Sequence, residues 1–133
     1  MVKIEHIGIA VNHLDDALPL YEKLLNAQCY KTEHVASEFV NTAFINIGDS
    51  KIELLEATNE NSAIAKFLAR RGEGIHHIAF EVENIYDEME RLKNEGFQLL
   101  MDKPKDGADN KLVCFIHPKS AGGTLIEICQ EKR

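Results

Sequence analysis

The sequence lacks the long apolar runs and the excess of positive charge that several classes of protein require. No stretch approaches the ~18 consecutive apolar residues of a membrane-spanning helix, and the first residues lack the apolar core of a signal peptide. Asp and Glu number 22 against 15 Lys and Arg, which gives a net charge of −7. This composition argues against membrane surfaces and nucleic-acid backbones as partners, and it predicts a cytoplasmic protein.

Cysteine is also scarce. Cys29, Cys114 and Cys129 are three in number and show no C-x-x-C spacing. An odd count without that spacing argues against a disulfide framework and against a thiolate zinc site. We interpret these cysteines as small core residues. With 44% hydrophobic and 28% charged residues in 133, the chain has the composition and length of one ordinary globular domain.

An internal repeat is the strongest feature present. Residues 4–11 read IEHIGIAV and residues 75–82 read IHHIAFEV, which aligns His6 with His77 at an offset of 77 − 6 = 71. A second echo aligns Glu53 in KIEL with Glu127 in LIEI, at 127 − 53 = 74. Chance agreement of short apolar strings is the alternative interpretation. Two echoes in the same order favour a duplicated module.

The hydrophobic periodicity predicts the same βαβββ order in each half. In the first half it predicts strands 3–11, 27–34, 41–48 and 51–57, with a helix over 14–25. In the second half it predicts strand 76–82, helix 84–95, strand 97–101, a polar loop over 102–110, strand 111–117, a hairpin over 118–123 and strand 124–130. We therefore predict an α+β fold in a single domain, 1–133, with module 1 at about 1–58, a linker helix at about 61–71 and module 2 at about 75–133.

Each half places one histidine and one glutamate on the strand face that is not committed to the obvious core. Side chains alternate between the two faces of a strand. His6, His77, Glu53 and Glu127 therefore point to the face opposite that of the isoleucines next to them in sequence. The plain interpretation is that both histidines are hydrogen-bonded core residues and both glutamates are charges on edge strands. If the halves pair by pseudo-symmetry, the four side chains converge. Two imidazoles and two carboxylates suit a divalent transition metal with positions left for substrate.

At these residues the sequence resembles the vicinal oxygen chelate superfamily, which contains glyoxalases and dioxygenases, and within it the methylmalonyl-CoA epimerase family. The matching strings are HIGIAV, DDALPLYEKLL, IELLE, SAIAKFL, GEGIHHIAFEV, DKPKDGA and HPKSAGGTLIEICQ. SAIAKFL and HPKSAGGTLIE are closer to the epimerase branch. The resemblance implies two βαβββ modules whose curved mixed sheets surround a metal cleft, in a protein that forms a homodimer and acts on a small-molecule acyl-CoA.

The resemblance also implies roles for particular residues. His6, His77 and Glu127 would be metal ligands, with Glu53 at a position where relatives carry Glu or Gln. The metal would be Co, Mn, Ni or Zn. His76 has the opposite strand parity and is kept out of the ligand set. For substrate binding, the family-like loop offers Lys119, Ser120 and Gly122, in a region that also carries Lys103, Lys105 and Lys111.

Inversion at a carbon needs one group to remove a proton and another to return it on the opposite face. Glu127 is the first candidate. Relatives carry a second glutamate in the loop before the third strand. In relatives Gln-Gly-Val typically follows this glutamate. When that valine is aligned with Val40, the glutamate position falls on Ser37, and Glu38 lies one place away. Glu38 with a one-residue loop shift is the preferred candidate, and an ordinary surface glutamate is the alternative.

Two other functions stay open at this level. A glyoxalase I-type lactoylglutathione lyase, acting on a glutathione hemithioacetal, shares the His-Glu-His-Glu ligand order. A non-catalytic member of the superfamily would only bind a small molecule. The epimerase-like loop over residues 117–127 favours the epimerase over the lyase, and the four filled ligand positions argue against a mere binder.

Overall fold

The duplicated sequence pattern folds into two units of the same internal topology. A computed structural model describes residues 1–132. The N-terminal unit consists of residues 6–76, and the C-terminal unit combines residues 1–5 with the chain from His77 onward. The predicted α+β fold of two βαβββ modules is confirmed in each.

The N-terminal unit is built from a four-stranded mixed sheet and two helices. Its elements are β1 (Lys3–Val11), α1 (Leu14–Leu25), β2 (Cys29–Val35), β3 (Val40–Ile47), β4 (Ser50–Ala57) and α2 (Ala63–Arg71). The first three residues of β1 are grouped with the C-terminal unit. The strand order is β2-β3-β4-β1, with β1 and β4 parallel and the other pairs antiparallel.

The C-terminal unit repeats this arrangement with one helix. Its elements are β5 (Gly74–Glu81), which starts in the N-terminal unit, α3 (Ile85–Asn94), β6 (Lys105–Gly107), β7 (Lys111–Ile116) and β8 (Ile126–Glu131). The order β5-β8-β7-β6 mirrors the first sheet, again with one parallel pair, β5 and β8.

In each unit, a side chain from the last strand accepts a hydrogen bond from the first residue of the long helix. The backbone N–H of Leu14 donates to the Glu56 carboxylate (3.0 Å), and that of Ile85 donates to the Gln130 side-chain oxygen (2.7 Å). These bonds satisfy backbone donors that have no partner within the helix. The linker helix uses its own cap: Ser62 accepts from the backbone N–H of Ala65 at 2.9 Å.

The two faces of each sheet are covered differently. In the N-terminal unit, Ile9, Val11 and Leu54 pack against α1, while Ala10 and Leu55 pack against Ile64 of α2 on the other face. In the C-terminal unit, the face toward α3 forms the larger core of buried side chains: Val82, Ile85, Met89, Leu92, Cys114, Ile116 and Ile128. The opposite face carries a smaller apolar cluster of Ala79, Val113, Cys129 and Phe115.

The predicted secondary structure is wrong in one region of the second half. Residues 97–101 form no strand; Leu99 makes only an isolated bridge to Ile116. The predicted polar loop instead contains β6, which pairs with β7 through a tight turn. In the three-residue turn 108–110, Asp109 and Asn110 both adopt positive φ (57° and 59°), a conformation that Asp and Asn tolerate better than most residues. The predicted hairpin over 118–123 begins with a short 3₁₀ turn, Pro118–Ala121.

None of the helices in residues 1–132 is long and apolar enough to cross a membrane.

Candidate metal and proton-transfer site

The N-terminal unit holds one buried histidine–glutamate pair. His6 of β1 and Glu53 of β4 are 4% and 5% exposed. In the parallel register Gly8 lies opposite Glu53, so no side chain from that position of β1 crowds the carboxylate. The His6 Nε2 atom lies 3.9 Å from Glu53 Oε2. An imidazole and a carboxylate thus share a dry environment on adjacent strands.

The C-terminal unit holds the equivalent pair. His77 of β5 and Glu127 of β8 are 4% and 5% exposed. Ala79 takes the position that Gly8 has in the first sheet, opposite the glutamate. The His77 Nε2 atom lies 3.4 Å from Glu127 Oε1.

Both pairs lie on the sheet face opposite the long helix, as strand parity predicts. The alternate positions Ile9 and Val11 pack toward α1, and Val82 and Ile128 pack toward α3. The pairs therefore sit among the small and apolar side chains of the other face. A buried ionisable group in such surroundings is costly unless it is paired or binds a metal.

The spacing of His77 and Glu127 fits two ligands of one metal ion better than a tight ion pair. Charge-assisted hydrogen bonds have N···O distances of about 2.7–2.9 Å. With ligand bonds of about 2.1 Å, two donors stand about 3.0 Å apart at a right angle and about 3.4 Å apart at a tetrahedral angle. His77 and Glu127, at 3.4 Å, match the tetrahedral value. His6 and Glu53 are wider by 3.9 − 3.4 = 0.5 Å.

A phenylalanine flanks each glutamate, and the sequence argument missed both. Phe44 of β3 lies directly opposite Glu53, and Phe115 of β7 lies directly opposite Glu127. Their offset, 115 − 44 = 71, equals that of the two histidines. The repeat offset combined with strand parity is the signal that would have found them.

The His76 side chain lies on the strand face opposite that of His77, as the alternation along β5 predicts. Its ring meets Phe67 of the linker helix edge-on, with centroids 5.0 Å apart at 85°. Burial lowers the pKa of His76 from 6.5 to about 4, so the imidazole is neutral at pH 7. His76 is thus explained by packing.

Two of the three cysteines, Cys114 and Cys129, are buried core residues. Burial raises the pKa of the Cys114 thiol to about 11. Burial, and next the neighbouring Glu127 carboxylate, raise the pKa of Cys129 as well. The raised pKa values disfavour the thiolate form that a nucleophilic cysteine requires at neutral pH.

The predicted second base, Glu38, is not part of either pair. It is half-buried at the end of a 3₁₀ turn, Ala36–Glu38, between β2 and β3, while Ser37 is exposed. Val40, which begins β3, pairs with Ala57, four residues beyond Glu53 on β4. Glu38 therefore belongs to the loop at the end of the N-terminal sheet.

The predicted substrate-binding residues lie in the turn before β8. Lys119 is exposed, the Ser120 hydroxyl accepts from the backbone N–H of Gln98 (2.9 Å), and Gly122 ends the turn with φ 67°. Lys105 approaches the face of the pair: its Nζ atom lies 6.0 Å from the Phe115 ring centroid. Lys111 is buried at the start of β7.

Comparison with known proteins places this geometry in a family. The family model described as the glyoxalase/bleomycin resistance protein/dioxygenase superfamily matches residues 5–115. The ethylmalonyl-CoA/methylmalonyl-CoA epimerase of Cereibacter sphaeroides is 39% identical, over 96% of this chain and 97% of that protein. The human mitochondrial methylmalonyl-CoA epimerase is 37% identical, over 96% and 73%.

A solved structure agrees. A single-residue variant of methylmalonyl-CoA epimerase from Streptomyces coelicolor, in complex with 2-nitronate-propionyl-CoA, superimposes with a TM-score of 0.95 at 34% identity, over 98% of this chain and 95% of that one. By contrast, the lactoylglutathione lyase of Neisseria meningitidis is 21% identical, over 98% and 92%. The chain belongs to the glyoxalase/bleomycin resistance protein/dioxygenase superfamily, and within it to the family of methylmalonyl-CoA epimerases.

The C-terminal pair gives a prediction for the metal-free protein. Glu127→Leu removes one polar partner of the buried His77 and should lower the free energy of unfolding by about 1–3 kcal/mol. The double variant His77→Leu/Glu127→Leu should recover most of that loss, because an apolar pair needs no compensation. Urea denaturation in the presence of a chelator measures both. Losses that simply add in the double variant would show that the two side chains are not coupled.

Proposed function

We propose that the chain is a metal-dependent epimerase that interconverts the two epimers of methylmalonyl-CoA. The observation that carries the proposal is a buried His–Glu pair in each unit of a chain that is similar over nearly its whole length to epimerases of this substrate. The reaction inverts the carbon between a thioester and a carboxylate. A proton leaves that carbon to give an enolate, and a proton returns on the opposite face.

The donor set suits one divalent ion. In this proposal the metal ligands are His6, Glu53, His77 and Glu127, one histidine and one glutamate from each unit. Imidazole and carboxylate ligands fit Co, Mn, Ni or Zn. When bound, such an ion supplies Lewis-acid stabilisation of negative charge on the substrate oxygens.

Glu127 is the first proton-transfer residue in this proposal. Its carboxylate is buried beside His77, and Phe115 lies directly opposite it on β7. A carboxylate can accept the abstracted proton and return it. Glu38 is the proposed group for the opposite face.

The remaining parts of the proposal concern partners and location. Lys119, Ser120 and Gly122 are proposed to contact the acyl-CoA, and a homodimer in the cytoplasm remains a prediction. The lyase alternative is disfavoured by the lower identity to a lactoylglutathione lyase, 21% against 39% for an epimerase. A protein that only binds a small molecule would have no need of two buried carboxylates beside imidazoles.

Proton exchange tests the function directly. In deuterated water, one epimer of methylmalonyl-CoA should gain deuterium at the α-carbon and give the second epimer. A chelator should abolish both, and a divalent metal should restore them, because the enolate charge needs a cation. Mass spectrometry and NMR follow the two events. Failure of the metal-supplemented protein to incorporate deuterium, or turnover of a glutathione hemithioacetal instead, would overturn the proposal.

The role of Glu38 has its own prediction. Glu38→Gln should slow epimer interconversion by about 10²–10⁴-fold, because one of two proton-transfer groups is lost. The epimer whose proton faces Glu127 should still exchange with solvent. Glu60→Gln, at an exposed glutamate, is the matched control and should be unaffected. Wild-type interconversion by Glu38→Gln would remove Glu38 from the mechanism.

A further inference from the structure

We propose that Phe115 is a positioning residue for the His77–Glu127 pair: its ring fixes the plane of the imidazole and closes one side of the carboxylate. The inference rests on the proposed metal centre for its functional meaning. The contacts on which it is based all lie within the C-terminal unit.

The contact with His77 is direct. The two rings meet edge to face, with centroids 5.9 Å apart and planes at 82°. This is a favoured arrangement for aromatic rings. His77 is only 4% exposed, so the imidazole has little room for another orientation while the Phe115 ring is in place. The direction of a ligand nitrogen follows the ring plane, so fixing the plane aims Nε2.

The position beside Glu127 is equally specific. Phe115 and Glu127 are directly opposed across β7 and β8, where Cβ atoms stand about 4.5–5.5 Å apart. Phe115 also packs with the small apolar cluster of Ala79, Val113 and Cys129. The ring therefore lies beside the carboxylate as part of an apolar surface. Low local polarity strengthens the electrostatic interaction of the carboxylate with any cation it binds.

The N-terminal unit repeats the opposition of phenylalanine and glutamate. Phe44 is 1% exposed and lies directly opposite Glu53. A lysine from the edge strand approaches each ring: Lys31 Nζ lies 6.0 Å from the Phe44 centroid, as Lys105 Nζ does from Phe115.

Other equivalent positions differ between the units. Gly8 corresponds to Ala79, and Glu56 corresponds to Gln130. A phenylalanine lies opposite the glutamate in both units, so the same ring is placed beside a buried carboxylate twice.

The experiment compares Phe115→Leu with a ring-retaining variant and a packing control. Phe115→Tyr keeps the aromatic contact. Phe97→Leu removes a ring that packs against the α3 core on the other face of the same sheet. The full-length, metal-free proteins are titrated with Co²⁺, and affinity and the visible absorption of bound Co²⁺ are recorded. The ¹⁵N shifts of the His77 imidazole are measured in the metal-free state.

Phe115→Leu should weaken Co²⁺ binding by about 10-fold and alter the Co²⁺ spectrum, since supports of metal ligands contribute on this scale. Phe115→Tyr should restore wild-type values, and Phe97→Leu should leave them unchanged. If Phe115→Leu does not fold, Phe115→Met replaces it, because the flexible methionine side chain fills irregular space in a core.

Wild-type affinity and spectrum in Phe115→Leu would overturn the inference, as would an equal loss in Phe97→Leu. If the wild-type protein binds no Co²⁺, the proposed metal centre is wrong, and the inference is decided by the His77 shifts alone. They should then move in Phe115→Leu and not in Phe97→Leu; unmoved shifts would refute it.

Discussion

The close pairing of a buried imidazole with a buried carboxylate, once in each unit, is the interaction on which the rest of the structure depends. Four ionisable side chains with 4–5% exposure would each be costly in apolar surroundings if they stood alone. Within each pair, the partner is one strand away and on the same face. The parallel contacts of β1 with β4 and of β5 with β8 create this proximity.

The remaining architecture keeps that face separate from the main cores. Each long helix covers the opposite face of its sheet, and each is held at its start by a side chain of the last strand, Glu56 or Gln130. The same strand therefore carries a buried carboxylate on one face and, on the other, a side chain that caps a helix. Glu53 lies three residues before Glu56, and Glu127 three before Gln130, so opposite parity lets one strand serve both tasks.

Much of this was predictable from sequence because two periodicities repeat. The strand at residues 3–11 and the helix at 14–25 coincide with the predicted bounds, since long alternating or amphipathic segments carry strong signals. The failure near residues 97–107 has a local cause. A three-residue edge strand carries little pattern, and its pairing depends on the positive φ angles of Asp109 and Asn110. The phenylalanines were missed because an aromatic residue on a strand looks like ordinary core until cross-strand register is known.

The central claim is that both pairs serve one divalent ion. The most direct measurement starts from metal-free wild-type protein and the separate variants His6→Ala and His77→Ala. Each is reconstituted with Co²⁺, and native mass spectrometry counts the ions bound per chain. The proposal predicts one Co²⁺ per wild-type chain and clearly weaker retention of Co²⁺ in both variants, because each histidine supplies a ligand to the same ion. Two ions per wild-type chain, or wild-type retention in either variant, would contradict it.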